Sequence, residues 1–216
     1  MTSSASSYDQ CAYPSYPYPQ THPDRLATIA ALFGLNPPDV ERCRVLELGC
    51  AGGGNLLPMA EQLPGSTFVG IDNSAKQIEQ AVQATKALGL TNIDFRTLDL
   101  REIDDGFGEF DYIICHGLYT WVPKELQPKI IAICRRHLAA NGVAFISYNT
   151  LPGWLNVSRP LKNGAALALP SGEDDNRWKN SGWINHPAQE SQQGRRTTPR
   201  IASVSVLKHQ AGERAV

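Results

Sequence analysis

Apolar and polar positions alternate between two periods along the first 150 residues of the chain. "THPDRLATIAALFGL" (21–35) has a helical period, with Leu26, Ile29, Ala30 and Phe33 on one face. Thr21 is the expected N-cap, with Asp24 closing a capping box and Gly34 as the stop. From residue 44 short strand-like runs alternate with helical ones. "RVLELGC", "STFVGID", "NIDFRTLDL", "FDYIICHG" and "GVAFISYN" read as strands, and "FDYIICHG" is the near-continuous apolar run expected of a central parallel strand. Between them "NLLPMAEQL", "NSAKQIEQAVQATKAL" and "LQPKIIAICRRHLAANG" read as helices. The second is capped by Ser74 and Gln77, and the third is stopped at Asn141-Gly142. Strands separated by helices predict an α/β fold, a Rossmann-like, doubly wound, mostly parallel sheet with right-handed crossovers.

Two stretches stand outside this rhythm. Residues 1–20, rich in Ser, Tyr and Pro, have no periodicity and are expected to be a flexible N-terminal arm, or else to fold their tyrosines over a cleft. Residues 155–216 contain neither Phe nor Tyr, and only about a sixth of them are Leu, Ile, Val or Met. Nine Lys and Arg against five Asp and Glu make this stretch basic, whereas the whole chain carries a net charge of −1. It reads as an atypical, disordered tail. "IASVSV" alternates, but one short run does not support a sheet alone. The folded domain is therefore expected over residues 21–154.

Charge and cysteine content narrow the function classes. A net charge of −1 does not suit a general phosphate-neutralising surface, so nucleic acid is not an expected partner. The five cysteines form no C-x-x-C pair and no metal-ligand spacing with histidine, so no metal is expected and buried reduced thiols are. No apolar stretch approaches bilayer length and no secretory signal opens the chain, which gives a cytoplasmic expectation without membrane association.

The candidate chemistry lies in "VLELGCAGGGN" (45–55), a strand running into a glycine-rich turn. A triphosphate loop needs a Lys-Ser/Thr pair after its last glycine, and Asn55-Leu56 stands there instead. Gly49, Ala51 and Gly54 approximate the dinucleotide fingerprint, with Asp72 about twenty residues on. Against NAD, a methyl group replaces the middle glycine, and Glu47 puts a carboxylate where a pyrophosphate would lie. S-adenosylmethionine has no phosphate and carries an ammonium and a sulfonium, so acids at strand ends complement it. Glu47, Asp72 and Asp99 each fall at the carboxyl end of an expected strand, suited to the ligand's charged end, its ribose hydroxyls and its adenine amino group respectively.

With these residues in view, the chain resembles a class I S-adenosylmethionine-dependent methyltransferase. It is most similar to a bacterial group in which a methyltransferase regulatory domain follows, a group that includes rickettsial protein-lysine methyltransferases. "QTHPDRLATIAALFGL", "CRVLELGCAGGGNLLPMA", "FVGIDNS", "FDYIICHGLYTWVP" and "GVAFISYNTLPGW" carry the resemblance over residues 20–154. It implies cofactor contacts from Glu47, Gly49, Cys50, Ala51, Gly53, Asn55, Asp72, Asn73, Asp99 and Leu100. The methyl acceptor, a protein or a small molecule, would enter over "CHGLYTW", where His116 is the candidate general base and Tyr119, with Trp121, the candidate aromatic wall. Tyr148 and Asn149 face the same edge, and His137 reads as structural. After Trp154 the family pattern stops, so the closing antiparallel strands are expected to be missing and the reading frame or gene to be disrupted near residue 155. Three functions follow: an active methyltransferase with protein lysine among its candidate acceptors, an inactive cofactor-binding remnant, or an NAD-dependent oxidoreductase.

Overall fold

The computed structural model describes residues 15–149, together with the backbone of residues 183–187 and 203–208. The remainder of the 1–20 arm, and most of the 155–216 tail, lie outside the described residues.

The chain enters through a single 3-10 turn, Pro19–Thr21, and then helix α1, Pro23–Leu32. β1 (Arg44–Leu48), α2 (Leu56–Gln62), β2 (Thr67–Asp72), α3 (Ala75–Leu88) and β3 (Ile93–Thr97) form the first half. β4 (Phe110–Cys115), α4 (Gln127–His137) and β5 (Leu138–Tyr148) form the second. These five strands run parallel in the order β3-β2-β1-β4-β5. The α/β, Rossmann-like expectation therefore holds.

The edge of the sheet differs from expectation. β7 (Ser203–Lys208) pairs antiparallel with β5 from Tyr148↔Ser203 to Val143↔Lys208, and β6 (Trp183–Pro187) pairs antiparallel with β7. Two closing strands thus stand where none was expected. The alternating run "IASVSV" lacked a partner only in isolation; the eleven-residue β5 presents one along its free edge.

Both faces of the parallel sheet are buried, which explains its near-continuous apolar strands. Val45, Phe68, Phe95, Tyr112, Ile114 and Phe145 pack on one face against Leu26 of α1, Leu56 of α2 and Ile78 of α3. Leu46, Leu48, Ile71, Ile113, Cys115 and Ile146 pack on the other against Ile130 and Ile133 of α4. Gly70 lets the Phe95 ring cross its own strand: a Cβ there would stand 2.6 Å from Phe95 Cδ1 and 2.9 Å from Cys50 Sγ.

Three boundaries moved. α1 is capped by His22, whose Nδ1 accepts from the Asp24 N–H, whereas Thr21 is fully buried and bonded elsewhere. α4 ends at His137 rather than at Asn141, and β5 begins directly at Leu138, which pairs with Phe110 across a register shift. The third change is that residues 15–20, expected to be flexible, lie against the glycine turn, with Ser15 bonded to Gly54 and Tyr18 to Asn55.

Because β1 lies between β2 and β4, the chain leaves it in opposite directions on its two sides. This switch point opens a crevice beyond the carboxyl ends of the strands, where ligands settle in open α/β sheets.

Candidate functional site

The crevice holds a cavity of about 380 Å³, a volume suited to a small-molecule ligand. Its floor is the turn after β1. Both Gly49 and Cys50 donate backbone N–H groups to Ile71 O, at 2.9 and 3.0 Å, which bends the chain sharply over β2. Gly53 has φ +76°, and a Cβ there would stand 2.5 Å from Phe95 Cζ. It therefore lets the turn pack on the core, and it does not line the cavity. Ala51 takes φ 47°, a left-handed conformation unusual for a residue with a Cβ. Its N–H is held by Asp72 Oδ2 at 3.0 Å, while Asp72 Oδ1 accepts from Ser74 N at 2.9 Å. The acid at the end of β2 thus pins the glycine turn and starts α3.

Glu47 is the unusual group. It is 3% exposed, its Oε1 accepts from Asn55 Nδ2 at 2.7 Å, and its Oε2 is buried with no hydrogen-bond partner among the described residues. Burial pushes its carboxyl up to about 8; the Asn55 bond opposes this and the Asp72 charge adds to it. Such an atom is costly unless a donor hydrogen-bonds to its unused lone pairs.

At the mouth, Asp99 caps a 3-10 turn (Leu100–Glu102), accepting from Arg101 N at 2.9 Å and from Arg101 Nε at 3.2 Å. His116 follows β4. Its ring lies 4.0 Å from that of Tyr18 and 5.9 Å from that of Phe145, and its buried Nδ1 has no partner among the described residues. Burial lowers its pKa to about 4, so the ring is neutral near pH 7.

Most of the expected residues converge here. Glu47, Gly49, Cys50, Ala51, Asn55, Asp72, Asn73, Asp99, Leu100, His116 and Trp121 line the cavity, whereas Gly53, Tyr119, Tyr148 and Asn149 do not. Tyr119 instead faces the Tyr148 ring at 6.4 Å, and its carbonyl accepts from Gln127 Nε2. A loop without a repeat gives no sequence signal for which of its side chains turns inward. Asn149 N donates to Thr120 Oγ1, and His137 Nδ1 is bonded to Gly108 O at 2.7 Å in the core. Residues not anticipated are Ser15 and Tyr18 from the arm, Gln77 from α3, and Leu118, Val122 and Leu126 after β4. The tyrosines of the arm were the one available hint. Among the described residues no group of three or more His, Cys, Asp or Glu is placed to hold a metal ion, and no helix is long and apolar enough to cross a membrane.

A parallel sheet of this order, with acids at the carboxyl ends of β1 and β2 and just beyond β3, is an α/β, Rossmann-like methyltransferase fold. Residues 45–142 match the family model described as "Methyltransferase domain". An uncharacterized protein of Rickettsia prowazekii is 53% identical over 156 residues, 72% of this chain and 28% of that protein. A second from the same organism is 46% identical over 148 residues, 68% of this chain and 59% of its own length. The structure of PKMT2 from Rickettsia typhi in complex with AdoHcy is similar with a TM-score of 0.65 and 44% identity, over 68% of this chain and 29% of that one. The chain thus spans between about three-tenths and three-fifths of the lengths of these relatives.

Proposed function

We propose that the cavity binds S-adenosyl-L-methionine and that the chain transfers its methyl group to an amine acceptor, with protein lysine the candidate class. The observation that carries the cofactor reading is that Glu47 lines the cavity while its buried Oε2 has no hydrogen-bond partner among the described residues. An α-ammonium supplies both the hydrogen bond and the charge that this oxygen lacks. Three acids, Glu47, Asp72 and Asp99, line the cavity, and Arg101, the one arginine among the described residues that line it, is already paired with Asp99. A pyrophosphate would meet Asp72 and Asp99 with no free lysine or arginine among the described residues that line the cavity, which disfavours the NAD reading. The solved relative bound to AdoHcy supports the same ligand class.

When bound, S-adenosyl-L-methionine supplies a methyl group on a strongly activated sulfonium leaving group. The residues of this chain hold and orient. Glu47 takes the ammonium, Asp72 offers its remaining lone pairs to the ribose, and Asp99 with Leu100 meets the adenine. Gly49, Cys50, Ala51, Asn55 and Asn73 complete the wall, and Gly53 shapes the turn beneath it. His116, with its pKa at about 4, is too weak a base to deprotonate an alkylammonium whose own pKa is about 10. Its role here is a neutral ring beside Tyr18, and the acceptor amine has to arrive already deprotonated. Tyr119, outside the cavity, supports the loop rather than the reaction. The lysine acceptor rests on the resemblance to rickettsial protein-lysine methyltransferases and on the likeness to PKMT2.

Calorimetric titration with S-adenosylmethionine, S-adenosylhomocysteine and NAD tests the ligand. The reading predicts binding of the first two, and binding of NAD alone overturns it. Transfer of labelled methyl groups to proteins of a bacterial lysate tests turnover; cofactor binding without any transfer to protein or small molecules identifies the inactive remnant.

A further inference from the structure

Residues 15–21 form a strap across the glycine turn, held by hydrogen bonds between groups distant in sequence. Ser15 Oγ accepts from Gly54 N at 2.7 Å, and a Cβ on Gly54 would stand 2.5 Å from the Ser15 carbonyl oxygen. Tyr18 N donates to Asn55 Oδ1 at 2.8 Å, and the Tyr18 ring covers His116. Thr21, 0% exposed, donates its hydroxyl to Tyr18 O at 2.8 Å and accepts from Asn55 Nδ2 at 3.0 Å.

These bonds fix which way the Asn55 amide points. Its oxygen faces the strap N–H, and its nitrogen is shared between the Thr21 hydroxyl and Glu47 Oε1. A flipped amide would turn NH₂ toward the Tyr18 N–H and a carbonyl toward the Glu47 oxygen, losing both bonds. With Oε1 anchored in this way, Glu47, which lines the cavity, has one oxygen left, and that oxygen is buried with no partner among the described residues. Thr21 itself does not line the cavity. Satisfied networks of this kind hold side chains in one orientation.

We propose that Thr21 is a positioning residue for the amino-acid end of the ligand. The strap fixes Asn55, Asn55 aims Glu47, and the seat of the strap sets how strongly the pocket prefers adenosyl ligands that carry an α-ammonium over those that lack one. This rests on the adenosyl-ligand reading above and adds to it a specificity-determining residue, Thr21, outside the cavity wall.

The test uses the full chain and two probes. S-adenosylhomocysteine carries the amino acid, and 5′-methylthioadenosine has the same adenosine and thioether without it. Thr21→Val removes the hydroxyl at nearly constant volume, and Thr21→Ser keeps it. The expected result is that Thr21→Val weakens S-adenosylhomocysteine about tenfold, the order of one buried hydrogen bond, leaves methylthioadenosine unchanged, and is rescued by Thr21→Ser. Equal weakening of both probes, or of neither, overturns the proposal while leaving the ligand reading intact. Failure of the unaltered chain to bind S-adenosylhomocysteine overturns both. Should Thr21→Val not fold, Ser15→Ala removes the bond from Gly54 at the other end of the strap and has to show the same one-sided loss; an even loss counts against the proposal.

Discussion

Replacing Glu47 by glutamine separates the electrostatic role of this residue from its packing. The carboxyl stands at about 8 in the folded chain against an ordinary value of 4.5, chiefly because it is buried. Between those two values the folded state binds more protons than the unfolded state. Stability is therefore full below about pH 4.5 and is lost as pH rises to about 8. At 1.36 kcal/mol per unit, the loss reaches an upper bound of about 5 kcal/mol, a large share of a domain's total stability. Glutamine keeps the shape and can still accept from Asn55, but it has no charge to bury. Urea unfolding at steps from pH 5 to pH 8.5 is expected to show the unaltered chain weakening while Glu47→Gln stays level, so that the two curves separate with rising pH. The same residue governs ligand binding. An ammonium against Oε2 favours the carboxylate, so binding of S-adenosylhomocysteine at pH 7 is expected to release about one proton, measured by calorimetry in buffers of different ionisation enthalpy. Parallel stability curves, together with binding that moves no protons, would refute the reasoning.

Three further outcomes follow from the same geometry. His116 has its folded pKa near 4, below its ordinary 6.5, so its stabilising contribution is present above pH 6.5 and lost as pH falls toward 4. His116→Phe, which keeps a ring between Tyr18 and Phe145, is expected to flatten that acid loss by up to about 3 kcal/mol in pH-dependent melting. Gly70→Ala places a methyl 2.6 Å from Phe95 Cδ1 and is expected to cost about 2 kcal/mol in denaturant unfolding. Adding Phe95→Leu should return part of that loss, and a strictly additive double variant argues against the contact. Ala51→Gly relieves a left-handed alanine and is expected to raise stability by up to about 1 kcal/mol with the Ala51–Asp72 bond retained, whereas a lowered melting point counts against strain at this turn.

Much of this was legible in the sequence because burial on both faces forces a simple pattern. β4 reads "FDYIIC" since Tyr112 and Ile114 face one core and Ile113 and Cys115 the other. The acids were legible for a related reason: each stands at or just beyond the carboxyl end of a strand, and in a parallel sheet those ends share one edge. What escaped was set by contacts between distant positions. Thr21 looked like a helix cap by spacing, yet Asn55, 34 residues away, claims its hydroxyl, and His22 takes over the cap. Asn141-Gly142 looked like a helix stop, but pairing of Leu138 with Phe110 had already drawn the chain into β5. The strap has no period because single hydrogen bonds hold it, from Ser15 to Gly54 and from Tyr18 to Asn55. The loop after β4 was the weakest point, since Trp121 lines the cavity and Tyr119, two residues earlier, does not.

The carboxylate-lined edge also bears on turnover. On the proposed chemistry the ligand enters with a sulfonium and leaves as a neutral thioether, so its charge falls by one during the reaction while Glu47, Asp72 and Asp99 stay in place. The attraction those acids exert on the sulfur centre is therefore present on arrival and absent at departure. A fixed row of acids thereby favours exchange of spent ligand for fresh, with no movement of the sheet required.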